Sequence, residues 1–298
     1  MRKSDFSLLL KLLKVNAGWE FDENQYFIID KKLNNFIREK NYISIDNLIA
    51  DLKKENRQLI SQVVEAMTFS DTSFFRDYDV FYKFENTILP KLKEKCRASK
   101  KLNMWSLGCS TGQEAYSIAM AIDKNQKMFA DWNINIHATD LSSVAISKAQ
   151  RGIYSNFEVQ TGLSASMILQ YFSQNGDSWT VSDKIKKIID FRKYNILDEA
   201  IVKSNFEVIF CRNVLRYFAP ELQDTILRRI SEKQHQGGYL FLGKGERISP
   251  IEKYYQKIDN NGIYMAIGNS KPDTSSGNLS VRSLNKDTPP SFVKPKGL

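Results

Sequence analysis

The chain has 298 residues, 42% hydrophobic and 26% charged. Such a length buries a full core without disulfides or metal. Three separated cysteines, Cys96, Cys109 and Cys211, exclude a disulfide scaffold and a cysteine-rich zinc module. No apolar run reaches the roughly 18 residues of a membrane span. The start, MRKSDFSLLLKLLKVN, lacks a cleavage site after its short apolar stretch. A soluble cytoplasmic protein without membrane insertion is expected.

The net charge is +9. Read globally, that suggests nucleic acid or another acidic partner. By segment, residues 1–80 carry −1, 81–104 carry +5, 105–200 carry −1, 201–270 carry +3 and 271–298 carry +3. The excess therefore sits in a connector, a late region and the tail. The connector runs into the first strand, so its lysines are expected along the edge of the cleft, facing an acidic protein substrate.

Residues 1–75 read as helical. Leu8, Leu9, Leu12, Leu13 and Val15 suit one amphipathic helix, and Phe36 with Ile37 suits another. Ser44 or Asp46 is placed to cap a helix carrying Leu48, Ile49 and Leu52, and 58–67 reads as one more. The short run Tyr26–Ile29 is the sole β-rich stretch there.

From Leu102 the texture changes. Apolar runs at Leu102–Leu107, Ile134–Thr139, Ile188–Tyr194, Phe206–Cys211 and Tyr239–Leu242 read as strands, the last after a Gly237-Gly238 turn. Helical patterns at Glu114–Ile122, Ser142–Arg151 and Glu221–Lys233 fall between them, which implies βαβ units and a parallel sheet. Gly262–Ile267 reads as a final edge strand. Residues 271–298, with four of the seven prolines, read as a disordered tail.

In such a sheet, ligands bind outside the carboxyl ends of the strands. The first strand ends in the turn Gly108-Cys109-Ser110-Thr111-Gly112, where glycines let a ligand approach the backbone. The spacing is not the dinucleotide GxGxxG, and no Walker lysine follows. The second strand ends in Asp140, placed for ribose hydroxyls or, alternatively, for capping the next helix. Asn195 and Arg212-Asn213 end the next two strands. Together these describe a nucleoside site without a phosphate clamp, which fits S-adenosylmethionine. His137, inside a strand, reads as a packing residue, and His235 lies on a loop.

Several stretches resemble the CheR family of chemoreceptor glutamate O-methyltransferases. They are TFSDTSFFRD (68–77), WSLGCSTGQEAYSIAM (105–120), HATDLSSVAISKAQRGIYS (137–155), YNILD (194–198), FEVIFCRNVLRYF (206–218) and GGYLFLGKGE (237–246), in the family's order. The resemblance covers roughly residues 5–268. It implies an α/β fold: a Rossmann-like class I methyltransferase sheet over 76–270, an all-α N-terminal domain over 1–75, and a small inserted β-subdomain at 171–191 turning at Asn175-Gly176-Asp177. It implies S-adenosyl-L-methionine as cofactor, S-adenosyl-L-homocysteine as product, and no metal.

By the same resemblance, Ser70, Thr72, Arg76, Gly108, Glu114, Asp140, Asn195, Ile196, Arg212 and Asn213 bind the cofactor. Arg76 and Tyr217 lie at the methyl group and position the substrate carboxylate. The sequence departs from the family pattern at Ser70 (usually Asn), at Gln113-Glu114-Ala115 (usually Glu-Glu-Pro), at Lys244-Gly245 (commonly His-Ser) and at Ala219 (frequently Asp). The implied partner is the cytoplasmic helical bundle of a chemoreceptor, acted on by a monomer. A helix with Lys31, Lys32, Asn35 and Arg38 is the candidate basic face for it.

Two other functions compete. A nucleic-acid methyltransferase suits the basic charge, but the chain has no Asn-Pro-Pro-aromatic motif and no Pro-Cys nucleophile. A non-catalytic protein that binds S-adenosylmethionine or a nucleotide suits the departures at Ser70, Ala115 and Lys244, but not the retained Arg76 and Tyr217.

Overall fold

The computed structural model describes residues 3–21, 26–198 and 205–268. The expected tail, 271–298, lies outside the described residues. Residues through Gly268 form one compact unit.

Four helices open the chain: α1 (Lys3–Ala17), α2 (Tyr26–Glu39), α3 (Ile45–Leu52) and α4 (Arg57–Ala66). The run Tyr26–Ile29 is the first turn of α2, not a strand. Ile29, Leu33, Phe36 and Ile37 form a buried stripe at helical spacing, and burying that stripe outweighs the local β preference. Ser44 caps α3, its side chain accepting the Asn47 N–H at 3.3 Å. Asn56 does the same for α4, accepting from the Gln58 and Leu59 N–H groups.

The connector is α5 (Tyr78–Lys83), a π-helical turn (Phe84–Ile88) and α6 (Leu89–Lys95). The remaining elements alternate as expected. They are β1 (Lys101–Leu107), α7 (Gln113–Lys124), β2 (Asn133–Asp140), α8 (Ser143–Arg151), β3 (Ile153–Ser155), α9 (Asn156–Gln160), α10 (Ala165–Tyr171), β4 (Phe172–Asn175), β5 (Ser178–Val181), α11 (Asp183–Lys186), β6 (Ile189–Lys193), β7 (Phe206–Phe210), α12 (Pro220–Glu232), β8 (Gln234–Phe241), β9 (Tyr255–Lys257) and β10 (Ile263–Ala266).

Seven strands form one sheet in the order β6-β2-β1-β7-β8-β10-β9. From β6 to β8 neighbours pair in parallel, and β10 runs antiparallel to both β8 and β9. This is the expected class I methyltransferase sheet. Both faces are covered, as a parallel sheet requires. Core residues of α5, α6 and α7 join Met104, Val208 and Phe210 on one face. Those of α1 to α4 and α12 join Trp105, Ile209 and Leu240 on the other.

Three details differ from expectation. The pair Gly237-Gly238 is not a turn before β8 but lies inside it, where the β7 register slips between Phe206 and Val208; glycine there relieves a bulge. The edge strand is β9, and β10 lies inside it, because the short run Tyr255–Lys257 adds a last strand that carries little sequence signal. The small sheet has the order β3-β5-β4, so it takes a third strand from 153–155, while residues 189–191 belong to β6 of the large sheet. The hairpin at Asn175-Gly176-Asp177 forms as expected, with Gly176 at φ 58°.

Candidate active site

After β1 the chain builds outward to β2 and β6, then returns to the other side of β1 with β7. That reversal leaves a crevice beyond the carboxyl ends of β1 and β7. A cavity of about 300 Å³ occupies it, at the lower end of small-molecule sites. Its walls come from the loop before α5, the turn after β1, the ends of β2, β6 and β7, and the segment after α1.

The turn after β1 is shaped by contacts. Gly108 has φ 78°, and a Cβ there would lie 2.4 Å from Val214 Cγ2, so only glycine fits. The Gly108 and Cys109 N–H groups both donate to the Thr139 carbonyl, at 2.8 and 2.9 Å. Ser110 is held at φ 51°, its N–H donating to Asp140 Oδ2 at 2.8 Å. Asp140 Oδ1 accepts from the Ser142 N–H at 2.9 Å. Ser142, not Asp140, is the side-chain cap of α8. Burial raises the Asp140 carboxyl above its ordinary value, and these backbone donors pull it partly back.

Arg212 is the clamp on the far wall. Its side chain is 2% exposed. Its Nη2 donates to Asp77 Oδ2 at 2.6 Å and to the Arg76 carbonyl at 2.9 Å, and its Nη1 reaches Glu114 Oε2 at 3.2 Å. Glu114 Oε1 accepts from Ser106 Oγ at 2.7 Å. Burial pushes the Glu114 carboxyl up, opposed by the Arg212 guanidinium. One buried arginine thus ties the end of β7 to the start of α7 and to the segment before α5. Phe75 and Asp77 in that segment have φ 47° and 58°, and strained backbone of this kind concentrates at ligand sites.

Tyr217 closes the site from the N-terminal side. Its ring stacks on Phe69, and its carbonyl accepts from the Glu20 N–H at 2.8 Å. Beside it Trp19 and Phe218 form an antiparallel bridge. Lys32 of α2 donates to the Thr68 carbonyl at 2.6 Å and lies 5.3 Å from the Phe69 ring centre. Burial pushes its ammonium below the ordinary value.

The arrangement suits a charged small molecule. A glycine turn opens backbone to the cavity, and Asp140 presents its carboxylate beside it. Asp71, Glu114 and Asp140 supply negative charge and Arg76, Arg212 and Arg216 positive charge, while Ser110 Oγ is buried beside the cavity without a hydrogen-bond partner. Residues 70–263 match the CheR methyltransferase, SAM binding domain. The chain belongs to the CheR methyltransferase family. It is 34% identical over 259 residues to chemotaxis protein methyltransferase 1 of Pseudomonas aeruginosa, covering 86% of this chain and 94% of that protein. It is 33% identical over 259 residues to chemotaxis protein methyltransferase Cher2 of Pseudomonas putida, covering 85% and 94%. It is 31% identical over 253 residues to the chemotaxis protein methyltransferase of Borreliella burgdorferi, covering 83% and 89%.

The family's activity, methyl transfer from S-adenosylmethionine in chemotaxis, is therefore this chain's activity. Of the residues named from sequence, Thr72, Arg76, Gly108, Glu114, Asp140, Asn195, Ile196, Arg212, Asn213 and Tyr217 all line the cavity. Ser70 does not: it is exposed and off the wall, while Phe69 before it turns in and the exposed Asp71 after it reaches only the rim. Arg212 is mostly enclosed by its three protein partners. Asn195 is similarly engaged, its amide donating to the Asn16 carbonyl at 3.0 Å and its oxygen accepting from the Leu197 N–H at 3.0 Å.

Sequence reasoning missed Ala17, Trp19, Phe69, Ser110 and Arg216 in the wall. Ser110 lies inside the glycine turn, and Phe69 and Arg216 lie inside the stretches 68–77 and 206–218, where no residue pattern marks them as wall residues; Ala17 and Trp19 lie in no motif. The connector lysines are not at the cleft. They precede the amino end of β1, and the cavity lies beyond its carboxyl end. On α2, Lys31, Asn35 and Arg38 are exposed, but Lys32 turns inward to Thr68.

His137 packs edge-on to Phe206 at 5.5 Å in β2, and burial lowers its imidazole. Burial raises the Cys109 and Cys211 thiols well above their ordinary value, so neither is an available nucleophile at neutral pH. No helix among the described residues is long and apolar enough to cross a membrane.

Proposed function

We propose that the chain transfers the methyl group of S-adenosylmethionine to glutamate side-chain carboxylates of chemoreceptors. The observation that carries this reading is the convergence of Asp140, Glu114, Arg76 and Tyr217 on one cavity at the switch point of the sheet.

When bound, S-adenosylmethionine supplies an electrophilic methyl group on a sulfonium. In this reading Asp140 holds the ribose, Thr72, Gly108 and Glu114 take the methionyl end, and Asn195, Ile196 and Asn213 frame the adenine. Arg212 acts mainly by fixing Glu114 and the Arg76 backbone. A glutamate has an ordinary pKa of about 4.3, so the acceptor is already ionised at neutral pH and needs no general base. Arg76 and Tyr217 then have two tasks: to hold that carboxylate in line and to exclude water. The absence of a histidine from the cavity wall accords with this.

The reading divides the chain into a helical N-terminal domain over 1–75, a methyltransferase domain over 76–270 with the small β-subdomain, and a tail. It assigns a cytoplasmic monomer whose exposed α2 residues Lys31, Asn35 and Arg38 face an acidic helical bundle. The deciding experiment uses the full chain, methyl-labelled S-adenosylmethionine and a chemoreceptor cytoplasmic fragment. Base-labile label on receptor glutamates is expected. Base-stable label on DNA or RNA, with none on receptor, would overturn the proposal.

A further inference from the structure

Three arginines line the cavity, and they differ in what they hold. Arg212 is buried and committed to Asp77 and Glu114. Arg76 donates to the Asp71 carbonyl at 2.7 Å and lies 3.5 Å from the Asp71 carboxylate. Arg216 is exposed at the rim, and among the described residues it has no acidic partner within ion-pair distance. It sits in the short 3₁₀ turn Leu215–Tyr217. Its guanidinium carbon lies 5.8 Å from the centre of the Tyr217 ring, a cation–π contact that keeps the charge beside that tyrosine.

An uncommitted cation at the mouth of a site for an anionic side chain is a recognition element. Arg216 and Tyr217 are neighbours on the same rim, so a substrate helix that meets one meets the other with side chains of the same face, which lie three or four residues apart. A helix that offers one carboxylate at Tyr217 brings a neighbour one turn away to Arg216. We propose that Arg216 is a specificity-determining residue that binds a second carboxylate of the substrate, three or four residues from the methylated glutamate. This rests on the glutamate methyltransfer reading above. It adds a sequence rule for the substrate: a lone glutamate is a poor acceptor, and one with an acid a turn away is a good one.

The test uses the full chain and a folded chemoreceptor cytoplasmic fragment with a single methylatable glutamate. Four fragment pairs carry Glu or Gln at the position four or three residues before, or three or four after, that glutamate. For at least one pair, the unsubstituted enzyme is expected to prefer Glu by about fivefold in kcat/KM, mostly through KM, as for one partly screened charge pair. Arg216→Gln should erase the preference and Arg216→Lys should keep most of it. Calorimetry should give all three the same affinity for S-adenosylhomocysteine. A preference that survives in Arg216→Gln, or no preference at any position with the unsubstituted enzyme, overturns the proposal. Binding of S-adenosylhomocysteine with no label on any fragment instead overturns the parent reading.

Discussion

Phe69 and Tyr217 stack face to face, with ring centres 4.8 Å apart and planes 4° from parallel. The two rings come from opposite walls, one preceding α5 and one following β7. Phe21 packs against both, at 5.8 and 6.5 Å. The stack limits the rotamers open to Tyr217 and so sets where its hydroxyl points.

Tyr217→Phe should therefore slow methyl transfer at least about tenfold, the usual scale for one hydrogen bond that acts in the transition state. Binding of S-adenosylhomocysteine should stay within about twofold. Phe69→Ala should slow transfer in the same direction, and Phe69→Tyr should recover most of it. Single-turnover labelling and calorimetry separate the two effects. Unchanged turnover in Phe69→Ala would show that the stack does not position Tyr217.

Asp140→Ala should abolish measurable cofactor binding. On the proposed function it removes the ribose acceptor, and it also leaves the Ser110 and Ser142 N–H groups unpaired, each worth about 1.5–3 kcal/mol when bonded to a charge. Thermal melting of the ligand-free variant tells loss of the site from loss of the fold.

The raised carboxyls of Asp140 and Glu114 give a pH dependence with a definite sign. A raised acid favours the folded state below its unfolded value, and that contribution is lost as pH rises through the folded value. The ligand-free fold thus gains from these two groups in acid. On the proposed function cofactor binding goes the other way, because ribose hydroxyls donate best to the ionised Asp140. Affinity should begin to fall at a pH above the ordinary carboxylate value of about 4. Asp140→Asn should bind weakly and flatten the profile. Calorimetry between pH 7 and 5 checks both.

Arg212→Met should destabilise the protein by about 3 kcal/mol, because it leaves the largely buried Glu114 and the partly exposed Asp77 without their cation. The triple change with Glu114→Gln and Asp77→Asn should recover part of the loss. Urea denaturation measures both. Equal stability of Arg212→Met and the unsubstituted chain would contradict the clamp.

Glu65 joins α4 to the sheet. It accepts from the Ser143 N–H at 2.9 Å and from Ser143 Oγ at 2.5 Å, and it pairs with Lys193 of β6. Burial raises its carboxyl, but the Lys193 and Ser143 bonds outweigh it and hold the value below the ordinary one. A depressed acid stabilises above its unfolded value, and that contribution is lost as pH falls through the folded value. Glu65→Gln should cost about 1–3 kcal/mol at pH 7. The gap to the unsubstituted chain should close as the medium is acidified below pH 4, followed by denaturant titration at each pH.

The sequence by itself determined the alternating strand and helix order, the glycine turn after β1, and the polar residues at four strand ends. Each is legible because it depends on local periodicity or on where an apolar run stops. Gly108, Asp140, Asn195, Arg212 and Asn213 line one cavity for that reason; Thr72, Arg76, Glu114, Ile196 and Tyr217, which line it too, were legible only through the family's motifs. Charge was legible by segment but not by place: the excess of residues 81–104 lies at or before the amino end of β1, and the direction of one strand puts it away from the cleft.

Only the tertiary structure decided which of those residues face ligand and which hold others in place. Arg212 and Asn195 stand at strand ends like their neighbours, yet their partners lie 98 and 179 residues away along the chain. Ser70 turns outward while Phe69 turns inward, and nothing local separates them. Trp19, Phe69 and Arg216 belong to no strand-end pattern. Arg216 reaches the site on the short turn after β7, and Trp19 and Phe69 reach it because the N-terminal helices share a core with one face of the sheet, where burial of shared apolar surface brings distant segments together regardless of spacing.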